Sequence, residues 1–142
     1  MDKFAMIIFG ASGDLTKRKL MPALYSLYRE KRLTGEYSIL GIGRTVYSDD
    51  NYRSYILEEL QQFVKSEEQD TALMASFVSH LYYLPMDPAK EEGYPQLRQR
   101  LVDLTGEVDP DNLLFYLATP PSLYGVCLLY TSDAADERSS VD

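Results

Sequence analysis

The sequence has a single cysteine, Cys127, and a single histidine, His80. One thiol excludes an intramolecular disulfide and any multi-cysteine metal site. One imidazole leaves too few ligands for a histidine zinc centre. There is no apolar run long enough to span a membrane. The opening MDKFAMIIFG has an early lysine and a short apolar stretch, but no small-residue cleavage site follows. A glycine turn comes at once, so the segment is not read as a signal peptide, and the expected location is the cytoplasm. Positive charge is also scarce: 14 Lys and Arg stand against 22 Asp and Glu, a net −8, which disfavours non-specific nucleic-acid binding. Two motifs are missing as well. Without G-x-x-x-x-G-K-[ST] there is no P-loop hydrolase signature, and without Tyr-x-x-x-Lys the 12 tyrosines give no short-chain reductase pair.

What is present is a chain of 142 residues, enough for one domain around one core. Phe4 to Phe9 is continuously apolar, which suits a strand covered on both faces. Gly10 breaks the run and Gly13 follows. Leu20, Leu24, Leu27 and Tyr28 then recur at helical spacing, predicting a helix from Asp14 to about Lys31, ended by Thr34-Gly35. Pro22 inside that helix is tolerable near its first turns and otherwise implies a kink. Ser38 to Gly43 reads as a second strand whose glycines point to close backbone approach on one side. Asp49 or Asp50 is expected to cap a helix striped by Tyr52, Tyr55, Ile56, Leu60 and Phe63, and the tyrosines on that stripe are expected in the core.

Thr71 to Ser79 predicts a shorter helix and His80 to Pro85 a third strand. Tyr94, Leu97, Leu101 and Leu104 mark another helix, stopped by Gly106. After a turn at 109–112, Leu113 to Ala118 reads as strand four, and Leu123 to Val126 as the start of a further helix. Strands alternating with helices imply an α/β fold: a Rossmann-like parallel sheet with helices on both faces. Residues 1–126 are expected to form one domain. The composition shifts at Cys127, and residues 127–142 read as a disordered tail.

The chemistry concentrates at the first turn. Gly10-Ala11-Ser12-Gly13 lies between a predicted strand and a predicted helix, where glycines let a pyrophosphate approach the backbone. The helix beyond it offers unpaired N–H groups and a positive dipole end. Ser12, Thr16 and Lys17 can add side-chain donors. The arrangement is GxxG and not the full G-x-G-x-x-G, so a bare structural turn is the competing reading. Arg44 ends strand two, where a dinucleotide fold meets the adenosine ribose. An acidic residue there suits NAD, whereas an arginine suits the 2′-phosphate of NADP. The competing reading of Arg44 is a solvated surface charge. His80 opens a strand far from any partner cluster and reads as structural or surface.

FGASGDLTKRKLMPALYSLYRE at 9–30, ILGIGR at Ile39 to Arg44 and LLFYLATPPSLYGV at Leu113 to Val126 together resemble the glucose-6-phosphate dehydrogenase family, in the same order along the chain. The resemblance implies NADP-dependent oxidation of glucose 6-phosphate to 6-phosphogluconolactone, the first step of the oxidative pentose phosphate pathway. It implies a coenzyme-phosphate loop of Gly10, Ala11, Ser12, Gly13, Asp14, Leu15, Thr16 and Lys17, with Arg44 on the 2′-phosphate. It also implies Met86 and Asp87 on the adenosine side, and the Ala118-Thr119-Pro120-Pro121 turn with Tyr124 near the nicotinamide. The family's Glu-Lys-Pro-Phe-Gly and Arg-Ile-Asp-His-Tyr segments, the latter carrying its substrate-binding and base histidines, have no match here. The chain is therefore expected to hold the coenzyme half only and to be inactive alone. Glucose 6-phosphate binding and homo-oligomer formation are expected of the longer parent. The tail CLLYTSDAADERSSVD departs from the family and resembles non-native coding, a hypothesis that the same tail in intact genomic DNA would refute. A stand-alone NADP-binding module and a different Rossmann oxidoreductase remain the alternative readings.

Overall fold

Apolar segments too short for helices and too uniform for one-sided sheets pair with one another in the computed structural model, which describes residues 4–33, 36–106 and 113–118. Four strands form one sheet: β1 (Phe4–Phe9), β2 (Tyr37–Gly43), β3 (Leu81–Pro85) and β4 (Leu113–Leu117), in the order β3-β2-β1-β4. All three pairings are parallel, with Ile7 opposite Leu40 on one side and Phe115 on the other. The predicted α/β parallel sheet is what forms. The chain winds outward from β1 to β2 and β3, then returns to place β4 on the far side of β1. That reversal puts the switch point between β1 and β4, and the C-terminal ends of strands at such a point are where these sheets take ligands.

The pleat sends alternate residues to opposite faces. Ile8, Tyr37, Ile39, Leu81 and Tyr83 face a core built with α1 (Met21–Arg29), α2 (Asp49–Phe63) and α3 (Thr71–Val78). Ala5, Ile7, Phe9, Leu40, Ile42, Leu84 and Leu113 face a second core under α4 (Tyr94–Thr105). Tyr52, Ile56 and Leu60 are fully buried, so the tyrosine stripe on α2 packs inward as predicted.

The first helix forms in two parts. Helical backbone begins at Asp14 and passes through a π-helical turn over Thr16–Leu20 before α1. Met21 N–H bonds the carbonyl of Thr16, five residues back. Pro22 has no N–H, so a wide turn just before it absorbs the missing bond. The helix ends close to the predicted Lys31, but its stop is made there and not by Thr34-Gly35, a pair outside the described residues. Lys31 takes a left-handed φ of 63°. Arg32 N–H donates to Leu27 C=O (2.8 Å) and Lys31 N–H to Tyr28 C=O (3.0 Å), the two bonds of a Schellman stop.

Ser48, not Asp49 or Asp50, caps α2: its hydroxyl accepts from Asn51 N–H at 3.1 Å. The Asp49 carboxylate is engaged elsewhere, accepting from Tyr83 N–H (2.8 Å) and from Arg100 Nη2 (2.9 and 3.1 Å). Gly106, at φ 89°, ends α4 where predicted. The turn at 109–112 and residues 119–142, with the predicted helix start and tail, lie outside the described residues.

The outer edge of β3 is partly occupied by side chains. Ile39 N–H bonds His80 C=O and Met86 N–H bonds Gly43 C=O, so the even-numbered residues of β3 face β2 and the odd-numbered face outward. Of the outward groups, Leu81 C=O accepts from Arg53 Nε (2.8 Å), Tyr83 N–H goes to Asp49, and Pro85 carries no N–H. His80 stacks on Tyr37 at a centroid distance of 4.2 Å, at the end of the sheet away from the glycine turn. It takes the structural role expected of it.

Candidate dinucleotide-phosphate site

The turn after β1 is fixed by its own backbone. Gly10, at φ 88°, occupies the region that favours glycine. Gly10 and Ala11 N–H both donate to Ile42 C=O (2.9 and 3.0 Å), and Gly13 N–H closes the turn on Gly10 C=O (3.0 Å). Thr16, fully buried, donates its hydroxyl to the same carbonyl at 2.9 Å. The Thr16 side chain is thus spent on bracing the turn. The N–H groups of Ser12, Asp14, Leu15 and Thr16 have no acceptor among the described residues. They are the orphan donors of a helix start, at the positive end of its dipole.

Close approach underneath makes the turn possible. A Cβ on Gly41 would lie 2.6 Å from Ala11 Cβ, and one on Gly43 would lie 2.7 Å from Tyr83 Oη and 2.8 Å from Ser12 Oγ. The glycines of β2 therefore serve the approach that the sequence pointed to. Below them pack Tyr47, Tyr52, Tyr55 and Tyr83. The Tyr52 and Tyr83 rings stack at 4.7 Å, and Tyr47 meets Tyr55 at 5.3 Å. Tyr52 Oη donates to Ala11 C=O at 2.8 Å, and Tyr83 Oη donates to Thr45 C=O at 2.5 Å. Burial, reinforced by the neighbouring phenols, holds Tyr52 well above the ordinary tyrosine range. Burial and then Tyr47 and Glu59 push Tyr55 up to about 12. Burial raises Tyr83 too, against a hydrogen bond with Ser12 that lowers it. These phenols act as neutral donors and braces.

The basic residues divide. Lys17 Nζ lies 3.6 Å from Glu59 Oε1 on α2. Arg18 pairs with Asp14 at 2.8 Å and lies over the Phe63 ring at 5.3 Å. Arg44 stands exposed just past β2 and has no ion-pair partner among the described residues. It follows by two residues the Ile42 carbonyl that anchors the glycine turn, so the orphan N–H groups and the unpaired guanidinium share one end of the sheet on adjacent strands.

The remaining candidates stand as follows. Asp14 and Leu15 are exposed at the helix start. Met86 is buried in the second core against Gly93, and its N–H continues the sheet to Gly43. The Asp87 carboxylate accepts from Ala89 N–H at 2.9 Å and shapes the turn after β3. Tyr124 and the 119–121 turn lie outside the described residues. Among the described residues no cluster of acidic, histidine or cysteine side chains could hold a metal ion, and no helix is long and apolar enough to cross a membrane. Thr45, expected from the sequence to add a hydroxyl contact beside Arg44, offers its carbonyl to Tyr83 Oη instead. Glu59 and Tyr83 were not singled out from the sequence. They reach the turn from strands and helices 30 to 70 positions away, and a local pattern carries no trace of such packing.

The comparisons with known proteins agree with this geometry. The family model for the glucose-6-phosphate dehydrogenase NAD binding domain matches residues 7–139. Glucose-6-phosphate 1-dehydrogenase of Aggregatibacter actinomycetemcomitans is 44% identical over 122 residues, covering 85% of this chain and 24% of that protein. A solved glucose-6-phosphate dehydrogenase in complex with its substrate glucose-6-phosphate superposes with a TM-score of 0.78 at 33% identity, over 94% of this chain and 28% of its own. The Mycobacterium avium glucose-6-phosphate 1-dehydrogenase structure gives 0.77 at 26% identity, over 92% and 27%. The chain thus spans about a quarter of the length of the curated relatives it matches. A parallel sheet with its glycine turn at the switch point and a family match over most of its residues lead to one conclusion: the chain belongs to the glucose-6-phosphate dehydrogenase family, in the region of its NAD binding domain.

Proposed function

We propose that this chain binds NADP, with the pyrophosphate on the turn Gly10 to Gly13 and the 2′-phosphate on Arg44. The observation that carries the reading is the set of orphan N–H groups at the helix start beside a guanidinium, just past β2, that has no ion-pair partner among the described residues. Backbone donors and a dipole end favour a shared phosphate group, and a guanidinium forks onto a terminal one. The rest of the cluster fits: Ser12 is half-exposed at the turn, and Lys17 can turn from Glu59 toward an anion. Asp14, Leu15 and Thr16 contribute backbone N–H groups. Met86 and Asp87 border the adenosine side at the end of β3, and Tyr124 belongs to the nicotinamide side.

In the longer parent protein the reaction is oxidation of glucose 6-phosphate to 6-phosphogluconolactone in a cytoplasmic homo-oligomer. The coenzyme, when bound, supplies the hydride acceptor. The residues of this chain bind and orient it: the turn fixes its phosphates and Arg44 selects the phosphorylated ribose. Titration of the 142-residue chain with NADP and NAD tests the reading. NADP is expected to bind more tightly, and Arg44→Ala to weaken NADP by about tenfold or more while changing NAD by less than about twofold. Equal losses for the two coenzymes would refute the assignment of the 2′-phosphate.

A further inference from the structure

Two parts of the site are held by different means. The glycine turn has its own bonds: Gly13 N–H and Thr16 Oγ1 to Gly10 C=O, and Tyr52 Oη to Ala11 C=O. The turn after β2 has fewer. Gly43 C=O is tied to Met86 N–H. Beyond it Arg44 is exposed, and the one hydrogen bond that Thr45 makes among the described residues is the one its carbonyl accepts from Tyr83 Oη. Tyr83 Oη also lies beside Ser12 Oγ, the two hydroxyls converging over Gly43, where a Cβ would come within 2.7 and 2.8 Å of them. The Tyr83 ring is buried and stacked on Tyr52, so this hydroxyl is a fixed point and not a mobile one. One phenol on β3 thus touches both the turn that carries the orphan N–H groups and the turn that carries Arg44.

We propose that Tyr83 is a positioning residue that joins the glycine turn to the Arg44 turn through Ser12 and Thr45, setting the distance between the pyrophosphate and 2′-phosphate sites and so the preference for NADP. The inference rests on the NADP reading above. Its effect is selective because the glycine turn keeps five other hydrogen bonds, two of them from Gly10 and Ala11 N–H to Ile42 C=O, whereas Thr45 loses the one hydrogen bond it makes among the described residues. An NAD molecule makes no use of Arg44 through a phosphate and is indifferent to that loss.

The test is Tyr83→Phe in the 142-residue chain, which keeps the ring stack and removes only the hydroxyl. Circular dichroism and a thermal melt establish that the variant is folded. Titration is expected to show NADP affinity lower by about fivefold to tenfold, the size of one hydrogen bond, and NAD affinity changed by less than about twofold. Unchanged NADP affinity, or equal losses for NADP and NAD, would overturn the proposal. A Tyr83→Phe chain that fails to fold would also overturn the proposal, because a hydroxyl that only joins two turns is not required for folding. The two readings fail differently: if the unmodified chain binds neither coenzyme, or if Arg44→Ala is unselective, the NADP assignment itself falls and this inference with it.

Discussion

Thr16 shows how much one buried hydroxyl does at this site. It is fully buried, and its only visible task is to donate to Gly10 C=O. Thr16→Val keeps the shape and removes the donor, while Gly13 N–H still satisfies that carbonyl. The variant is expected to lose about 1 kcal/mol of stability in urea denaturation. Unlike Arg44→Ala, it should weaken NADP and NAD to a similar degree, because the turn it braces would hold the phosphates common to both. Coenzyme titration beside the denaturation curve checks both parts. At this scale the sequence is a partial guide. Gly10, Gly13 and Arg44 are legible because their roles depend on short spacing and strand-end position. Thr16 reads as a ligand donor from its place in the loop, whereas the fold points its hydroxyl inward. Tyr83 is legible only as an apolar strand residue, since its hydroxyl matters through residues 12 and 45, which the sheet alone brings together.

Elements were more legible than their ends. All four strands and the long helices lie where apolar periodicity places them, because burial on one or both faces decides them. The ends depend on single bonds. Asp49 is a good cap by type, yet Arg100 and Tyr83 N–H claim its carboxylate, and Ser48 takes the position. Helix α1 stops at Lys31 because the Schellman bonds form there, although a side chain in left-handed backbone is disfavoured by about 1–2 kcal/mol. Lys31→Gly removes that penalty and adds freedom to the unfolded chain. The net expectation is a gain of about 0.5–1 kcal/mol, read as a higher urea midpoint with an unchanged slope. A drop in midpoint would mean that the lysine side chain contributes more than its backbone strain removes.

The whole molecule carries a pH dependence set by its buried phenols. Tyr37, Tyr52, Tyr55 and Tyr83 are all raised above the ordinary value of 10, chiefly by burial. A group raised in the folded state binds its proton more tightly there than in the unfolded chain. The stability it contributes is complete below pH 10 and is lost as pH rises through the folded value, about 12 for Tyr55. Alkaline titration should therefore show phenolate absorbance from these four tyrosines rising only above pH 10, together with loss of helical circular dichroism. A single wave near pH 10 with the helices intact would contradict the burial of these hydroxyls.

The partly occupied edge of β3 gives the sheet a direction. Asp49 and Arg53 fill with side-chain atoms two of the backbone bonds that a fifth strand would use, and Pro85 offers no donor. Lateral addition on that side would have to displace an ion pair held to Arg100 and a guanidinium lying over Tyr82 at 4.8 Å. β4 begins in the core at Leu113, but its Leu114 is 53% exposed. Among the described residues, further strand pairing with this sheet is therefore easier on the β4 side, whose edge carries no such side-chain contacts there.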